Sequence, residues 1–167
     1  MGMITVLIIF CSQYLLYLVG LGVLIYWLTL SRSAKLTIAI YGLITGITAF
    51  ILAKIGSALF YNPRPFMVEH VTPLFSHAAD NGFPSDHTLL TASLALALFT
   101  VSKRWGIVFM LLAVIIGGSR VLANVHHPID IIGSIVFAAL GYMVAVIVGR
   151  KIVPLVEAHF RQKVMSK

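Results

Sequence analysis

The length of the apolar runs constrains this chain more than any other feature. Residues 3–30 contain no charged side chain, and further apolar runs follow at residues 36–60, 88–101, 107–123 and 129–149. A bilayer-spanning helix needs about 20 mostly apolar residues, so the runs predict about five transmembrane helices. Because 60% of the residues are hydrophobic and only 10% are charged, a water-soluble globule is excluded. We expect an all-α integral membrane protein, a helical bundle that forms one domain over residues 1–167.

Basic residues are distributed unevenly among the segments that join these runs. The loop after the first run, the loop after the third and the C-terminal tail together hold nine of the 12 lysines and arginines. The positive-inside rule makes that side cytoplasmic, which leaves the N-terminus and segments 61–87 and 124–128 outside. The formal charge of +7 therefore reflects membrane topology, and we expect no nucleic-acid partner.

The third run is short, and three cations lie against the charge bias. Residues 88–101 would rise only about 21 Å as a helix, against a hydrocarbon core of about 30 Å, so their outer end is predicted to lie below the membrane surface. Lys54, Arg64 and Arg120 all fall at the outer ends of apolar runs. Because cations in such positions oppose the topology signal, we expect a specific local interaction to hold each of them there.

Three polar clusters are predicted to converge at those outer ends. They read YNPRPF at residues 61–66, FPSDH at residues 83–87 and SRVLANVHHPID at residues 119–130. Arg64 and Arg120 each offer a planar fork of donors that suits phosphate oxygens. Two such cations without matched carboxylates indicate an anionic ligand.

The same clusters hold the groups that phosphoryl transfer requires. Ser85 occupies an N-cap position, where the free backbone N–H groups of a helix start can bind phosphate. Pro128 suits the first turn of the last helix, which places His126 just before that helix and Asp130 within hydrogen-bonding reach of its ring. A carboxylate partner fixes the imidazole tautomer and makes the other ring nitrogen a better nucleophile. With His87 as proton donor, these residues predict transfer through a phosphohistidine.

Nothing in the sequence indicates a metal site. The single cysteine, Cys11, lies in an apolar run, and no acidic motif is suited to magnesium. The arginines and the helix end would stabilise the charge of the transition state instead. We therefore predict a reaction that needs no metal and no other cofactor.

At this point the residues resemble a known family. The pattern Ser-Arg, five residues, His, three residues, Asp is complete in Ser119, Arg120, His126 and Asp130. It resembles the third signature of the type 2 phosphatidic acid phosphatase superfamily. FPSDH resembles the second signature, which in most of the superfamily reads Pro-Ser-Gly-His, and residues 62–65 carry the Arg-Pro of the first. Residues 54–135 are most similar to the BcrC-type undecaprenyl-diphosphatases, which also carry Pro-Ser-Asp-His.

The resemblance implies a role for each matched residue. It implies that His126 is the nucleophile, that Asp130 orients it and that His87 is the general acid. The candidate substrate-binding residues are Arg64, Ser85, Arg120, Lys54, Ser119 and Asp86. One departure concerns a Lys that the superfamily places seven residues before the Arg, since Ser57 stands there in this chain. Lys54 lies almost one helical turn deeper and would either snorkel to the phosphate or occupy a polar pocket between helices.

Several other polar residues have two interpretations. Asp86 would either act in the site or only suit a helix N-terminus. His127 falls at a position that the motif leaves open, and we interpret it as structural or interfacial. Four residues of the loop between the first two signatures are predicted to coat the surface rather than to contact phosphate: Glu69, His70, His77 and Asp80.

The leading hypothesis is a membrane phosphatase that hydrolyses undecaprenyl diphosphate to the monophosphate at the outer face of the bacterial cytoplasmic membrane. The resemblance implies that this recycles the lipid carrier of the cell wall and confers bacitracin resistance. The same site would also suit phosphatidylglycerophosphate, phosphatidate or another lipid phosphate, or transfer to an acceptor other than water. A hypothesis of another class is a lipid-phosphate binding or transport subunit without turnover.

The topology can be tested with a cysteine introduced at Ser76. Because segment 61–87 is predicted to face outward, a membrane-impermeant thiol reagent added to intact cells should label this cysteine. A cysteine placed in the C-terminal tail serves as the control and should stay unlabelled. The reverse pattern would invert the topology.

Overall fold

The computed structural model describes residues 2–165 of the chain. Within them the regular secondary structure is helical, apart from one isolated antiparallel bridge between Pro63 and Asn81, and the longest irregular segment is residues 69–85. Its helices, in chain order, are α1 (Met3–Gln13), α2 (Leu15–Thr29), α3 (Arg32–Leu59), α4 (Pro65–Val68), α5 (Asp86–Phe99), α6 (Lys103–Leu122) and α7 (Pro128–Met165).

The apolar runs form a membrane helical bundle, as predicted. Three helices in the described part of the chain are long and apolar enough to cross a bilayer, namely α3, α6 and residues Pro128–His159 of α7. The pair α1 and α2 adds a fourth if both are counted as one span. Helix α5 has 14 residues and is shorter than a full span, in agreement with the length of its apolar run. The total of five spans stays a prediction.

The first apolar run is not one helix, contrary to the prediction. It breaks at Tyr14, and its two halves, α1 and α2, meet at an angle of 53°. At the break the backbone N–H of Tyr17 donates to the Tyr14 carbonyl, and the carbonyl of Ser12 accepts from Arg120 Nη1 at 3.2 Å. A buried guanidinium group thus replaces a bond of the helix. Both halves are apolar, so hydropathy carries no sign of the break.

The last apolar run, predicted to end at residue 149, continues as helix α7 to Met165. The predicted polar tail is therefore helical as far as the structure describes it, and Lys167 lies outside the described residues. The change in composition marks where apolar sequence ends, but Arg, Lys, Glu and Gln are good helix formers and extend the helix. For the same reason α3 and α6 begin at Arg32 and Lys103, four residues before the predicted starts.

Small residues let the helices approach closely. A Cβ atom on Gly141 of α7 would lie 2.5 Å from the carbonyl oxygen of Thr45 in α3. A Cβ atom on Gly117 of α6 would lie 2.5 Å from the Ile131 side chain of α7. Such contacts are typical of membrane helices, which associate by close packing because lipid tails are as apolar as the helices. The second contact joins the end of α6 to the start of α7, next to the third polar cluster.

Replacement of Gly141 by Ala should destabilise the bundle. The added Cβ atom would meet the backbone of α3, which cannot yield as a side chain can, so we expect a loss of about 1–3 kcal/mol in the free energy of unfolding. Thermal unfolding of the detergent-solubilised protein measures this. Gly118→Ala is the matched control, because nothing lies within 4 Å of its added Cβ. Equal stability of the two variants would contradict the packing described for α3 and α7.

Candidate active site

The three polar clusters meet at one end of the bundle, around a cavity of about 310 Å³. This confirms the convergence that the sequence predicts, since the end of α3, the start of α5, the end of α6 and the segment just before α7 all contribute. Six predicted site residues line the cavity: Lys54, Arg64, Asp86, His87, Arg120 and His126. Three others are buried and do not line it: Ser85, Ser119 and Asp130.

His126 and Asp130 form the predicted pair. Helix α7 begins at Pro128, and in its first turn Oδ2 of Asp130 lies 3.1 Å from Nδ1 of His126. Both side chains are buried. The carboxylate also accepts from the Asn62 amide at 2.7 Å and from the backbone N–H of His127 at 2.8 Å. These bonds hold the carboxylate, and through it the imidazole ring, in a single orientation.

The hydrogen bonds of His126 define which nitrogen faces the cavity. Because Oδ2 of Asp130 can only accept, Nδ1 carries the proton and Nε2 carries the lone pair. Nε2 accepts from Nη1 of Arg64 at 3.2 Å. Burial holds the pKa of His126 below its usual 6.5, although the hydrogen bond to Asp130 opposes this shift. The ring is thus neutral at neutral pH and has the form required of a nucleophile.

Arg64 is buried and makes hydrogen bonds through Nε and Nη1. Nε donates to Oδ1 of Asp80 at 2.8 Å, and Nη1 donates to the carbonyl of Val125 at 2.7 Å. The sequence predicted two arginines without matched carboxylates, and for Arg64 this is wrong. Asp80 lies on an irregular loop 16 residues further along, and without a regular element between them no spacing rule reveals the pair.

Arg120 is also buried, at the end of α6, but its partners are neutral. Nη1 donates to the Ser12 carbonyl, and Nη2 donates to Nε2 of His77 at 2.8 Å. Nε has no partner among the described residues. Arg120 thus keeps its positive charge uncompensated by direct contact beside the cavity.

His77 and Asp80 line the cavity, so the prediction that they coat the surface is wrong. The loop that carries them is fixed to the end of α6, where Asn124 has a φ of 59° and donates to the carbonyl of Thr72 at 3.0 Å. Asn tolerates this left-handed conformation better than most residues. One sequence feature indicates that both residues could belong to the site: the polar segment that contains them continues directly into FPSDH.

Ser85 is the N-cap residue of α5, as predicted, but its hydroxyl does not cap the helix. The hydroxyl instead accepts from Thr88 Oγ1 at 3.2 Å, and the Ser85 backbone N–H donates to the carbonyl of Asp130 at 3.3 Å. The next two residues, Asp86 and His87, turn into the cavity. The His87 ring makes no hydrogen bond with any other residue that the structure describes.

The remaining candidates divide into residues at the cavity and residues away from it. Ser119 is buried and donates to the carbonyl of Ile116 in its own helix at 2.7 Å, so the structure does not bring it to the cavity. Lys54 does line the cavity, with its ammonium group 5.1 Å from the centre of the Phe50 ring. Ser57, where the superfamily has Lys, accepts a hydrogen bond from Asn81 at 3.0 Å.

His127 lies outside the cavity lining and has a structural position, in agreement with its interpretation. Its Nε2 donates to the carbonyl of Pro63 at 3.1 Å, and its Nδ1 lies 3.5 Å from the Glu69 carboxylate. Glu69 is thus likewise kept away from the cavity. Among the described residues, no group of three or more His, Cys, Asp or Glu side chains is arranged to hold a metal ion.

The fold and the cavity define a class of protein: a membrane-embedded helical bundle with histidines and arginines clustered at one end of its helices. Comparison with known families makes this specific, because the PAP2 superfamily matches residues 34–153. The chain belongs to this superfamily, as its three signatures predicted.

Three curated relatives are similar over most of the chain. A Bacillus licheniformis protein named bacitracin transport permease protein BcrC is 36% identical over 88% of this chain and 71% of its own length. The undecaprenyl-diphosphatase BcrC of Bacillus subtilis strain 168 is 29% identical over 80% and 69%. An undecaprenyl-diphosphatase of Sulfolobus acidocaldarius is 30% identical over 77% and 62%.

The protonation state of His126 can be measured directly. We expect its ring to titrate below pH 6.5, with the proton on Nδ1 at neutral pH, because burial penalises the charged form. NMR of the protein labelled with ¹⁵N-histidine reports both the tautomer and the titration midpoint. His126→Gln assigns the signal among the six histidines. A midpoint at or above 6.5 would contradict burial as the dominant effect on this ring, and a proton on Nε2 would contradict the geometry of the pair.

Proposed function

We propose that this protein hydrolyses undecaprenyl diphosphate to undecaprenyl phosphate and phosphate, with His126 as the nucleophile. The observation that carries the proposal is the position of its Nε2, which faces a cavity lined by two arginines while Asp130 holds Nδ1 from behind. The names of the relatives from B. subtilis and S. acidocaldarius support the substrate. A cavity of about 310 Å³ suits a diphosphate headgroup whose polyprenyl chain stays in the bilayer.

In the first step, Nε2 of His126 attacks the terminal phosphorus. Phosphate oxygens take over the Arg64 N–H that contacts Nε2 in the present structure, which frees the lone pair. The bond from the terminal phosphorus to the bridging oxygen breaks as the N–P bond forms. His87 lines the cavity, where burial, with Arg120 as the next cause, lowers its pKa to about 4 in the free protein, so the proton has to enter with the incoming diphosphate. His87 takes up that proton as the anionic substrate binds beside it and gives it to the departing undecaprenyl phosphate.

In the second step, water attacks the phosphohistidine. His87, now neutral, accepts a proton from the water, the N–P bond breaks, and inorganic phosphate leaves. His126 returns to its starting form with the proton still on Nδ1. Arg64 and Arg120 stabilise the charge on the phosphoryl oxygens in both steps, and Asp130 stabilises the ring while it carries the phosphoryl group.

The reaction is proposed to proceed without a metal ion. The donors around the cavity are mainly cations and imidazoles, which suit an anionic substrate directly. Its acids, Asp80 and Asp86, are not part of a metal-binding group. Transition-state charge is then balanced by guanidinium groups, as fixed donors do in other phosphoryl-transfer sites.

The site is proposed to face outward from the bacterial cytoplasmic membrane, with the N-terminus outside and the C-terminus in the cytoplasm. The distribution of basic residues supports this orientation. There the enzyme would recycle the lipid carrier of the cell wall. By removing lipid diphosphate it would also deprive bacitracin of its target.

A transport function is the second candidate, because one relative is named a transport permease. Binding or translocation of an anionic lipid would use Arg64 and Arg120. It would not require a neutral histidine with a carboxylate behind it, since such a pair serves nucleophilic attack. The buried His126–Asp130 pair therefore favours the phosphatase.

The proposal is tested by phosphate release from undecaprenyl diphosphate by the detergent-purified protein in EDTA. We expect turnover by the wild type and none by His126→Ala. Asp130→Asn should lower kcat by about 10²–10⁴-fold, because the amide no longer holds the required tautomer. His127→Gln, which changes the neighbouring histidine outside the cavity, is the matched control and should stay within a few-fold of the wild type.

Other results would redirect or reject the proposal. Substrate labelled in its terminal phosphate should leave label on the wild-type protein after an alkaline quench, and none on His126→Ala. Turnover that requires an added metal would reject the metal-free route. Binding of the lipid without turnover of any lipid phosphate would favour the transport function.

A further inference from the structure

The two arginines of the cavity are held in different ways. Arg64 forms an ion pair with Asp80 at 2.8 Å. Arg120 instead donates to two neutral acceptors, the Ser12 carbonyl at 3.2 Å and the His77 imidazole at 2.8 Å. The first acceptor exists because the first apolar run breaks at Tyr14, and the second belongs to the loop before FPSDH. Neither partner could be assigned from the superfamily signatures.

A neutral acceptor orients a guanidinium group without cancelling its charge. A carboxylate in the place of His77 would form a buried ion pair, and an incoming phosphate would then have to compete with it. An imidazole acceptor fixes one Nη of Arg120 without an ion pair, so the charge, which Asp86 attracts only from beyond ion-pair distance, remains available to the phosphate. Since Arg120 is buried and its Nε is unpaired among the described residues, its orientation depends on these two contacts.

We propose that His77 is a positioning residue, whose neutral imidazole aims Arg120 at the phosphoryl group. The proposal rests on the proposed phosphatase function and adds to it a residue outside the three signature motifs. His77 lies in the cavity wall, and its ring stands edge-on to that of His126 with centroids 6.2 Å apart. It is therefore placed to hold Arg120 beside the nucleophile.

The role requires that His77 stay neutral, and its surroundings favour that state. The groups that face it are Arg64, Arg120, His87 and His126 from the rest of the site and Asp80 from its own loop. Burial, with Arg64 as the next contribution, holds the pKa of His77 below its usual 6.5. A second proton would occupy Nε2, remove the acceptor and place a cation against Arg120.

The test uses two substitutions in the full-length protein. His77→Leu removes the acceptor for Arg120 and has about the volume of the imidazole side chain. His77→Gln keeps a neutral acceptor that cannot be protonated. We expect His77→Leu to raise KM for undecaprenyl diphosphate and Kd for orthovanadate about tenfold or more, because a hydrogen bond to a charged group is lost. His77→Gln should stay within about threefold. His70→Asn, an exposed histidine of the same loop with a φ of 56°, is the matched control.

The pH dependence separates positioning from a merely structural role. In the wild type KM should rise below pH 6.5 as His77 gains a proton, and in His77→Gln this rise should be smaller. Ionisation of the substrate is common to both proteins, so the difference between them isolates His77. The decrease in kcat at low pH, which reflects His126, should remain in both.

Defined outcomes overturn the proposal. The proposal is wrong if KM for undecaprenyl diphosphate and Kd for orthovanadate in His77→Leu stay within threefold of the wild type. It is also wrong if KM depends on pH in the same way in the wild type and in His77→Gln. If His77→Leu fails to fold, the pH dependence of KM in His77→Gln alone tests the proposal. If the wild type turns over no lipid phosphate, the phosphatase proposal fails and orthovanadate binding still tests His77. If such a protein also binds no orthovanadate, both proposals are rejected.

Discussion

The buried carboxylate of Asp130 is the interaction on which the rest of the site depends. Its side chain accepts from Asn62 in the first polar cluster and from His126 and His127 in the third, while its carbonyl accepts from the backbone of Ser85 in the second. One fully buried residue thus links the segments that the sequence keeps apart. Because a buried carboxylate is costly unless its oxygens are satisfied, these contacts stabilise the fold and the orientation of the proposed nucleophile together.

Positive charge in the cavity is arranged asymmetrically. Arg64 is compensated by Asp80, and its contact with Nε2 of His126 has to be exchanged for phosphate before attack. Arg120 is held by a backbone carbonyl and by His77, so it retains its charge for the ligand. A buried cation without a carboxylate partner is costly in an empty site, and an anionic substrate offsets that cost on binding. A phosphate that binds in the cavity therefore also compensates the charge of Arg120.

The packing of the bundle and the geometry of the site are coupled through the helix ends. Gly141 and Gly117 allow α3, α6 and α7 to approach closely, and the broken first run offers the Ser12 carbonyl to Arg120. Irregular backbone at membrane depth is tolerated when its polar groups are satisfied within the protein. At the break between α1 and α2, the Ser12 carbonyl meets this condition through a residue of the site itself.

The sequence by itself determined the class of fold, the apolar runs, the family and the convergence of the signature residues, because hydropathy and short motifs are local properties. Apart from the His126–Asp130 pair, only the tertiary structure decided which side chains of the site touch. It broke the first run at Tyr14, extended the last helix to Met165 and left Ser119 away from the cavity. It also brought His77 and Asp80 into the cavity through an irregular loop. Such contacts depend on long-range packing, for which no periodicity along the chain exists.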